Sequence, residues 1–483
     1  MHKLPESVPA LDTLLNSLRN QKTDLLHQLE KIDSDIAAAE RKRAKIWNEA
    51  AFVYKLPPEL LSHIFLLCQK NELTFPLTAA RVCSPWRTSA VGTRMLWTDI
   101  NITLEHPYDV QRGLDKMETY LTRSGPSSLF AVRLDVGDHL DFAPFLKLIA
   151  SHISRCAHLS ICVQKHTRAC VPLIHECLDS LWAPHLGYLA LHIEWVEGAH
   201  DRMMYGAPSI LKAGAPSLNH LQLTGYASGL LPPISGGITT LHLDGEYMST
   251  MTLLEYREIL AANPRLVNLS LQWLEVESST STDLRAVELP MLRSLRIRTD
   301  ESYHSFTTST KALLSVLPLS SLESLVLYDT VDDLDSFEFP NVKDLALHYC
   351  TFPDDQIAID HLMLAFPSVV RLTLQHKSIL YKALGVHREP VMWPKLRTLC
   401  IRELDAMSFV EDVSVLSKLV QERSRMNSPL ESVYFDNSSR RRAVDIIPAL
   451  ETLTKIGWTS VHQDPWPPGP DMDPAQYDNF WER

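Results

Sequence analysis

Beyond Trp97 the chain repeats one short phrase, and this repetition limits its fold more than any other feature. The phrase is Leu-x-x-Leu-x-Leu. Nine clear copies begin at Leu186, Leu218, Leu266, Leu292, Leu322, Val342, Val369, Leu396 and Leu430, with a weaker one at Ile238. Trp97/Ile100/Ile102, Leu129/Val132/Leu134 and Cys156/Leu159/Ile161 fit more loosely. Starts fall 20 to 34 residues apart. The last two apolar positions of each copy stand two apart, the period of a strand with one buried face. Proline stands two residues before many copies (Pro184, Pro216, Pro264, Pro290, Pro340, Pro367, Pro394), where a strand can begin without needing its N–H. A unit of this size cannot bury its apolar face alone, but stacked neighbours bury a continuous core.

Helical patterns lie between copies, as in Leu253 to Leu260 before Asn263-Pro264, and in Thr310 to Leu317 before Pro318. The expectation is an α/β solenoid of strand–helix repeats, a horseshoe with parallel strands on its concave wall and helices on its convex wall. An open α/β sheet is the competing arrangement. Period two also fixes which residues face away from the leucines. They include His192, His242, Asp244, Gln272, Arg296, Arg298, Tyr328, His348 and Arg402, interleaved with Ala190, Gln222, Thr224, Ser270, Val326, Ala346, Thr373, Gln375, Cys400, Tyr434 and Asp436. Tyr and Arg are enriched among residues that anchor protein interfaces. This row is therefore the candidate target-binding surface, with Arg296, Arg298, Tyr328 and Arg402 as central anchors. A plain solvated strand face would have the same polarity.

A different pattern stands in front. Leu56-Pro57-Pro58-Glu59-Leu60-Leu61-Ser62-His63-Ile64-Phe65-Leu66-Leu67-Cys68 opens on prolines suited to a first helical turn, with Glu59 near the positive helix end. Leu60, Leu61, Ile64, Phe65 and Cys68 recur at helical spacing and predict one wide apolar face. Pro76 then precedes a helix over roughly 77–82, followed by Val82-Cys83-Ser84-Pro85-Trp86-Arg87 and Leu96-Trp97. A Leu-Pro-Pro-Glu helix with a Val-Cys…Trp segment behind it resembles the F-box. F-box proteins are substrate receptors of cullin-type ubiquitin ligases. The resemblance implies that Leu56, Pro57, Glu59, Leu60, Ile64, Phe65, Val82, Cys83 and Trp86 face a Skp-type adaptor. Two departures bear on the loop between the helices: the usual acidic residue before its leucine is missing, and Pro85 biases Ser84 away from helix.

The repeats are similar to the irregular leucine-rich repeats behind many F-boxes, particularly in the expanded fungal sets. The Asn or Cys expected three after the last leucine is mostly absent: Glu194, Tyr226, Leu274, Asp300 and Thr330 stand there, and only Cys350 fits. The resemblance implies a receptor of an SCF-type ligase that is not itself an enzyme and brings its target close to a charged ubiquitin carrier. The alternative is a leucine-rich scaffold that serves no ligase and self-associates through its front helix.

That front helix spans residues 11 to about 50. Leu11, Leu15, Leu18, Leu25, Leu29, Ile32, Ile36, Ala39 and Ile46 alternate at spacings of three and four, with Lys22 and Arg43 completing the seam. Such heptads predict a coiled coil and a homodimer through residues 11–50; a lone helix folded back on its own chain has the same periodicity. Arg41-Lys42-Arg43-Ala44-Lys45 reads as its solvated face rather than an import signal.

The composition is that of an ordinary folded protein. A length of 483 residues suggests more than one unit, and a net charge of −12 argues against nucleic acid as the main partner. No apolar run suits a membrane span or a signal peptide. Eight cysteines in so long a chain fit reduced thiols, and with them a cytoplasmic or nuclear setting. Cys156, His158, Cys162, His166, Cys170, His175 and Cys177 cluster in sequence, but their gaps are not those of a zinc site, and no metal or cofactor is expected. The organisation read from sequence is a coiled-coil helix over 1–50, an F-box over 51–97, a solenoid over 98–460, and an extended Pro-rich tail over 461–483.

Overall fold

The computed structural model describes residues 7–70, 72, 74–164, 170–194, 210–233, 237–245, 251–274, 276–277, 286–298, 310–328, 334–350, 356–375, 392–402, 409–436 and 450–459. Asp300, Thr330, His166, the Arg440-Arg441-Arg442 patch and the 461–483 tail lie outside the described residues. The chain divides into two compact units: Met1–Thr98 with Arg123–Gly125, and Asp99–Thr122 with Pro126–Arg483.

The first unit is all helical. α1 (Ser7–Ala50) runs unbroken for 44 residues. α2 (Pro58–Gln69), α3 (Phe75–Val82) and α4 (Ser84–Gly92) follow, then a short turn over Arg94–Trp97. Each of α2, α3 and α4 has a proline in its first turn, where the missing N–H has no intrahelical partner. This corrects two local expectations. Pro76 lies inside α3 rather than ahead of it, and Pro85 starts α4, so the break falls at the extended Cys83 and not at Ser84.

The core of the unit is aromatic. The Phe65 ring lies 5.6 Å from Phe75 and 4.9 Å from Trp86. Trp97 is fully buried, donates its indole N–H to the Ala90 carbonyl at 2.8 Å, and carries the Arg123 guanidinium 4.3 Å above its ring. Gln69 Nε2 donates to the Leu96 carbonyl at 3.1 Å, and Thr93 Oγ1 donates to Ser62 Oγ at 2.8 Å, tying α2 to the segment after α4.

The second unit is built on one parallel sheet of 14 strands in strict chain order. These are β1 (Asp99–Leu104), β2 (Phe130–Val136), β3 (Cys156–Val163), β4 (Tyr188–Ile193), β5 (His220–Gly225), β6 (Thr240–Asp244), β8 (Asn268–Gln272), β10 (Ser294–Arg298), β11 (Ser324–Tyr328), β12 (Asp344–His348), β13 (Arg371–Gln375), β14 (Thr398–Arg402), β15 (Ser432–Asp436) and β16 (Lys455–Thr459). Two short strands, β7 (Met251–Thr252) and β9 (Val276–Glu277), pair separately. The arrangement is α/β and solenoid-like: each strand adds beside its predecessor, so no strand order reverses.

Register follows the repeated phrase. Leu159, Leu189, Leu221, Leu241, Leu269, Leu295, Leu325, Leu345, Leu372 and Leu399 stand opposite one another from strand to strand, and Val433 and Ile456 continue the row. All these leucines are buried. The helix Pro107–Ser124 reaches this face, since a Cβ on Gly113 would lie within 3.2 Å of the side chains of Ile102, Leu104 and Phe145.

The expectation of a helix after every strand is corrected. Short 3-10 turns at Tyr226–Gly229 and Leu334–Ser336 stand where helices were predicted, whereas the helix expected over Thr310 to Leu317 is present as Thr310–Ser315. The final strand was not read as a repeat copy. It carries Ile456 and Trp458 around Gly457, whose Cβ would fall 2.3 Å from the Tyr434 ring, so this strand lacks an outer side chain for a packing reason. Among the described residues no helix is long and apolar enough to cross a membrane.

Candidate functional sites

The first candidate is the outer side of α2. Sequence spacing placed Leu60, Leu61, Ile64, Phe65 and Cys68 on one face; the structure separates them. Leu61 and Phe65 point into the unit, and Phe65 has no exposed surface. Leu60, Ile64 and Leu67 form a second stripe on the outside, 54 %, 40 % and 51 % exposed. They are spaced four and three residues apart, which aligns them along the helix. Val82 at the end of α3 is also exposed, whereas Leu56, Cys83 and Trp86 are half-buried. Pro57 and Glu59 are open at the helix start. Phe65 is therefore corrected from an adaptor-facing residue to a core residue: its ring fills the space between Phe75 and Trp86. Leu67 was missed because periodicity does not tell an inward stripe from an outward one.

The second candidate is the sheet face opposite the leucines. The expected residues do share that face, in two rows set by register. One row runs Gln222, His242, Ser270, Arg296, Val326, Ala346, Thr373, Cys400, Tyr434; the next runs His192, Thr224, Asp244, Gln272, Arg298, Tyr328, His348, Gln375, Arg402. The middle of this face is less open than a plain solvated strand face. His242, Asp244, Gln272, Tyr328 and His348 are buried, and Arg296 is only 2 % exposed. His192, Arg298 and Arg402 are half-buried.

Parallel strands lie about 4.8 Å apart, so identical positions stack. His158 stacks on Tyr188 at 3.9 Å, and Tyr188 on His220 at 4.4 Å. Further along, Tyr328 stacks on His348 at 4.6 Å, and the guanidiniums of Arg296 and Arg298 lie 5.7 and 5.6 Å from the Tyr328 ring. His192 Nδ1 and Thr224 Oγ1 are 2.6 Å apart, and His348 hydrogen-bonds Gln375. Burial disfavours charge on this face. It holds the pKa of His158 and His220 down to about 4 and of His242 down to about 3, with Arg133, His158 and Arg296 adding like-charge repulsion respectively.

Two aromatic residues were missed. Trp273 and Tyr349 follow β8 and β12 directly and hold positive φ values of 45° and 55°, a region that non-glycine residues seldom enter. Their turns aim the rings along the polar rows. Arg298 lies 4.7 Å from the Trp273 ring, and the Tyr349 hydroxyl accepts from Gln375 Nε2 at 2.7 Å. Tyr349 is exposed and Trp273 half-buried, so with Arg298 they form the accessible margin of an otherwise buried polar face.

The cysteines and histidines that cluster in sequence do not converge. Cys156, His158 and Cys162 lie on β3, and Cys170, His175 and Cys177 on the helix Cys170–Leu178. Cys156 is buried with its thiol pushed up to about 12 by desolvation. Among the described residues no three His, Cys, Asp or Glu side chains gather as metal ligands. No protein-family profile matches this chain, and a search of the curated proteins finds no match.

Proposed function

We propose that this chain is a substrate receptor of an SCF-type cullin ubiquitin ligase. In this reading the helices α2 to α4 act as an F-box that docks a Skp-type adaptor, and the parallel solenoid acts as a leucine-rich-repeat platform for the target. The carrying observation is the double-sided α2. Its inner face is filled by Phe65 and Leu61, while Leu60, Ile64 and Leu67 stay exposed on a helix that already has a complete core. A small unit that keeps such a stripe uncovered stabilises itself further by docking. The chain performs no bond chemistry; it supplies proximity in the cytosol or nucleus.

The margin formed by Arg298, Trp273, Tyr349 and Arg402 is where a target would make first contact, and the buried rows behind it hold those side chains in place. The test is binding of a purified Skp-type adaptor to the full chain. Leu60→Ala plus Ile64→Ala should weaken binding by at least tenfold at unchanged thermal stability, since neither residue contributes to the core. A wild-type chain with no affinity for the adaptor would remove the ligase reading.

A further inference from the structure

We infer that α1 pairs with α1 of a second copy as an antiparallel two-stranded coiled coil, which sets two of these chains head to tail. The seam is uncovered: Leu11, Leu15, Leu18, Leu25, Leu29, Ile32, Ile36 and Ile46 are all between 49 % and 60 % exposed. The folded-back alternative does not describe this helix. An open apolar groove lined by Leu18, Gln21, Lys22, Leu25, Leu26 and Leu29 runs along it. Residues 11–50 span about 60 Å. A stripe ~10 Å wide over that length buries roughly 1,200 Å² between two copies, the lower edge of the range for a stable pair.

Charge selects the direction. The seam assigns Leu15, Lys22, Leu29, Ile36 and Arg43 to position a, and Leu11, Leu18, Leu25, Ile32, Ala39 and Ile46 to position d. A parallel pair would set Lys22 on Lys22 and Arg43 on Arg43, and would place Asp35 beside Glu40 of the second copy. A fully overlapped antiparallel pair sets every a residue against a d residue. Lys22 then meets the small Ala39, Leu29 meets Ile32, and Leu25 meets Ile36. Arg19 lies beside Glu40 of the second copy, twice by symmetry, and no flanking position sets like charges together. The antiparallel seam thus exchanges repulsive contacts for neutral or attractive ones. Because each chain leaves the rod at residue 50, the two helical units emerge at opposite ends, about 60 Å apart.

This inference does not depend on the ligase reading. The experiment uses the full-length chain. Light scattering at micromolar concentration should give twice the chain mass. Leu25→Asp plus Leu29→Asp should return the monomer with the unfolding of the parallel-sheet unit unchanged, since both side chains lie on α1 and are exposed in a single copy. Lysine cross-linking of mixed light and heavy isotope-labelled chains should join Lys22 of one copy to Lys42 or Lys45 of the other. The decisive variant is Glu40→Lys. It should weaken an antiparallel pair roughly tenfold, with recovery on adding Arg19→Glu, whereas it would tighten a parallel pair by removing the Asp35–Glu40 repulsion. A monomeric wild type, Lys42–Lys42 links between copies, or a tighter Glu40→Lys dimer would each overturn the proposal.

Discussion

Ile64 and Phe65 are adjacent in sequence and face opposite ways. Phe65 packs between Phe75 and Trp86, and its loss leaves a cavity the short helices cannot close. Phe65→Ala should cost about 3–5 kcal/mol, measured by denaturant unfolding of the helical unit. Ile64→Ala should change the same curve by no more than ~0.5 kcal/mol. Equal effects would mean that the inner and outer stripes are not distinct. Arg423 shows the same principle for a charge. Within the helix Phe409–Arg425 it reads in sequence as one more basic residue near a C-terminus. In the structure it is fully buried, and its guanidinium donates to the carbonyls of Met392 (2.8 Å), Trp393 (3.0 Å) and Leu396 (3.4 Å). Burial holds its pKa down to about 10. Arg423→Ala removes the donor to all three carbonyls ahead of β14, of which Trp393's also accepts from the Leu396 N–H, and a loss on the order of 3 kcal/mol is expected from equilibrium unfolding. The sequence carries no sign of this role, because the three acceptors come from a turn some thirty residues away.

At the scale of elements, what is local was readable and what depends on neighbours was not. The start of α2 could be placed from Pro57 and Pro58, because proline acts through its own backbone, whereas Pro76 and Pro85 were read as breaks and lie in the first turns of α3 and α4. The helix Leu253–Ala261 is another local case. Thr252 Oγ1 accepts from the Glu255 N–H at 3.2 Å, and Glu255 Oε2 accepts from the Thr252 N–H at 2.8 Å, a reciprocal cap. Thr252→Ala should cost about 1 kcal/mol and Thr252→Gly only a few tenths, read from hydrogen exchange in the first turn of that helix. If both variants exchange like the wild type, the cap contributes nothing. The aromatic turns at Trp273 and Tyr349 are the contrary case. Nothing in the residue type announces a positive φ, and the rings matter only because β10 and β13 bring Arg298 and Gln375 beneath them. The double-sided α2 was half legible: its apolar positions are in the sequence, but the choice of inner stripe is made by Phe75 and Trp86.

For the whole molecule, the leucine phrase prescribed the register of all but the last strand of a 14-stranded sheet, since period two leaves one arrangement that buries every leucine of the phrase. It did not reveal that the middle of the opposite face is buried too, because stacking between neighbouring strands is not encoded in any one of them. That burial gives the sheet a pH response. His158, His220 and His242 titrate near pH 4, 4 and 3 when folded, against an ordinary value near 6.5. Between about pH 6.5 and 4 the unfolded chain binds protons that the folded one refuses, so stability rises with pH and falls as pH is lowered through this window. Asp135 works in the opposite sense: its carboxyl is raised by burial, so its cost is relieved as pH falls into the carboxylate range. The three coupled histidines outweigh it, and the sheet should lose several kcal/mol between pH 7 and pH 4.5. The first unit has no buried histidine among its described residues, and its helices should outlast the sheet in acid. Near-ultraviolet circular dichroism and hydrogen exchange over this range separate the two units, and His220→Gln with His242→Gln should flatten the slope of the sheet alone. A sheet equally stable at pH 7 and pH 4.5 would mean that these histidines reach water before the strands part.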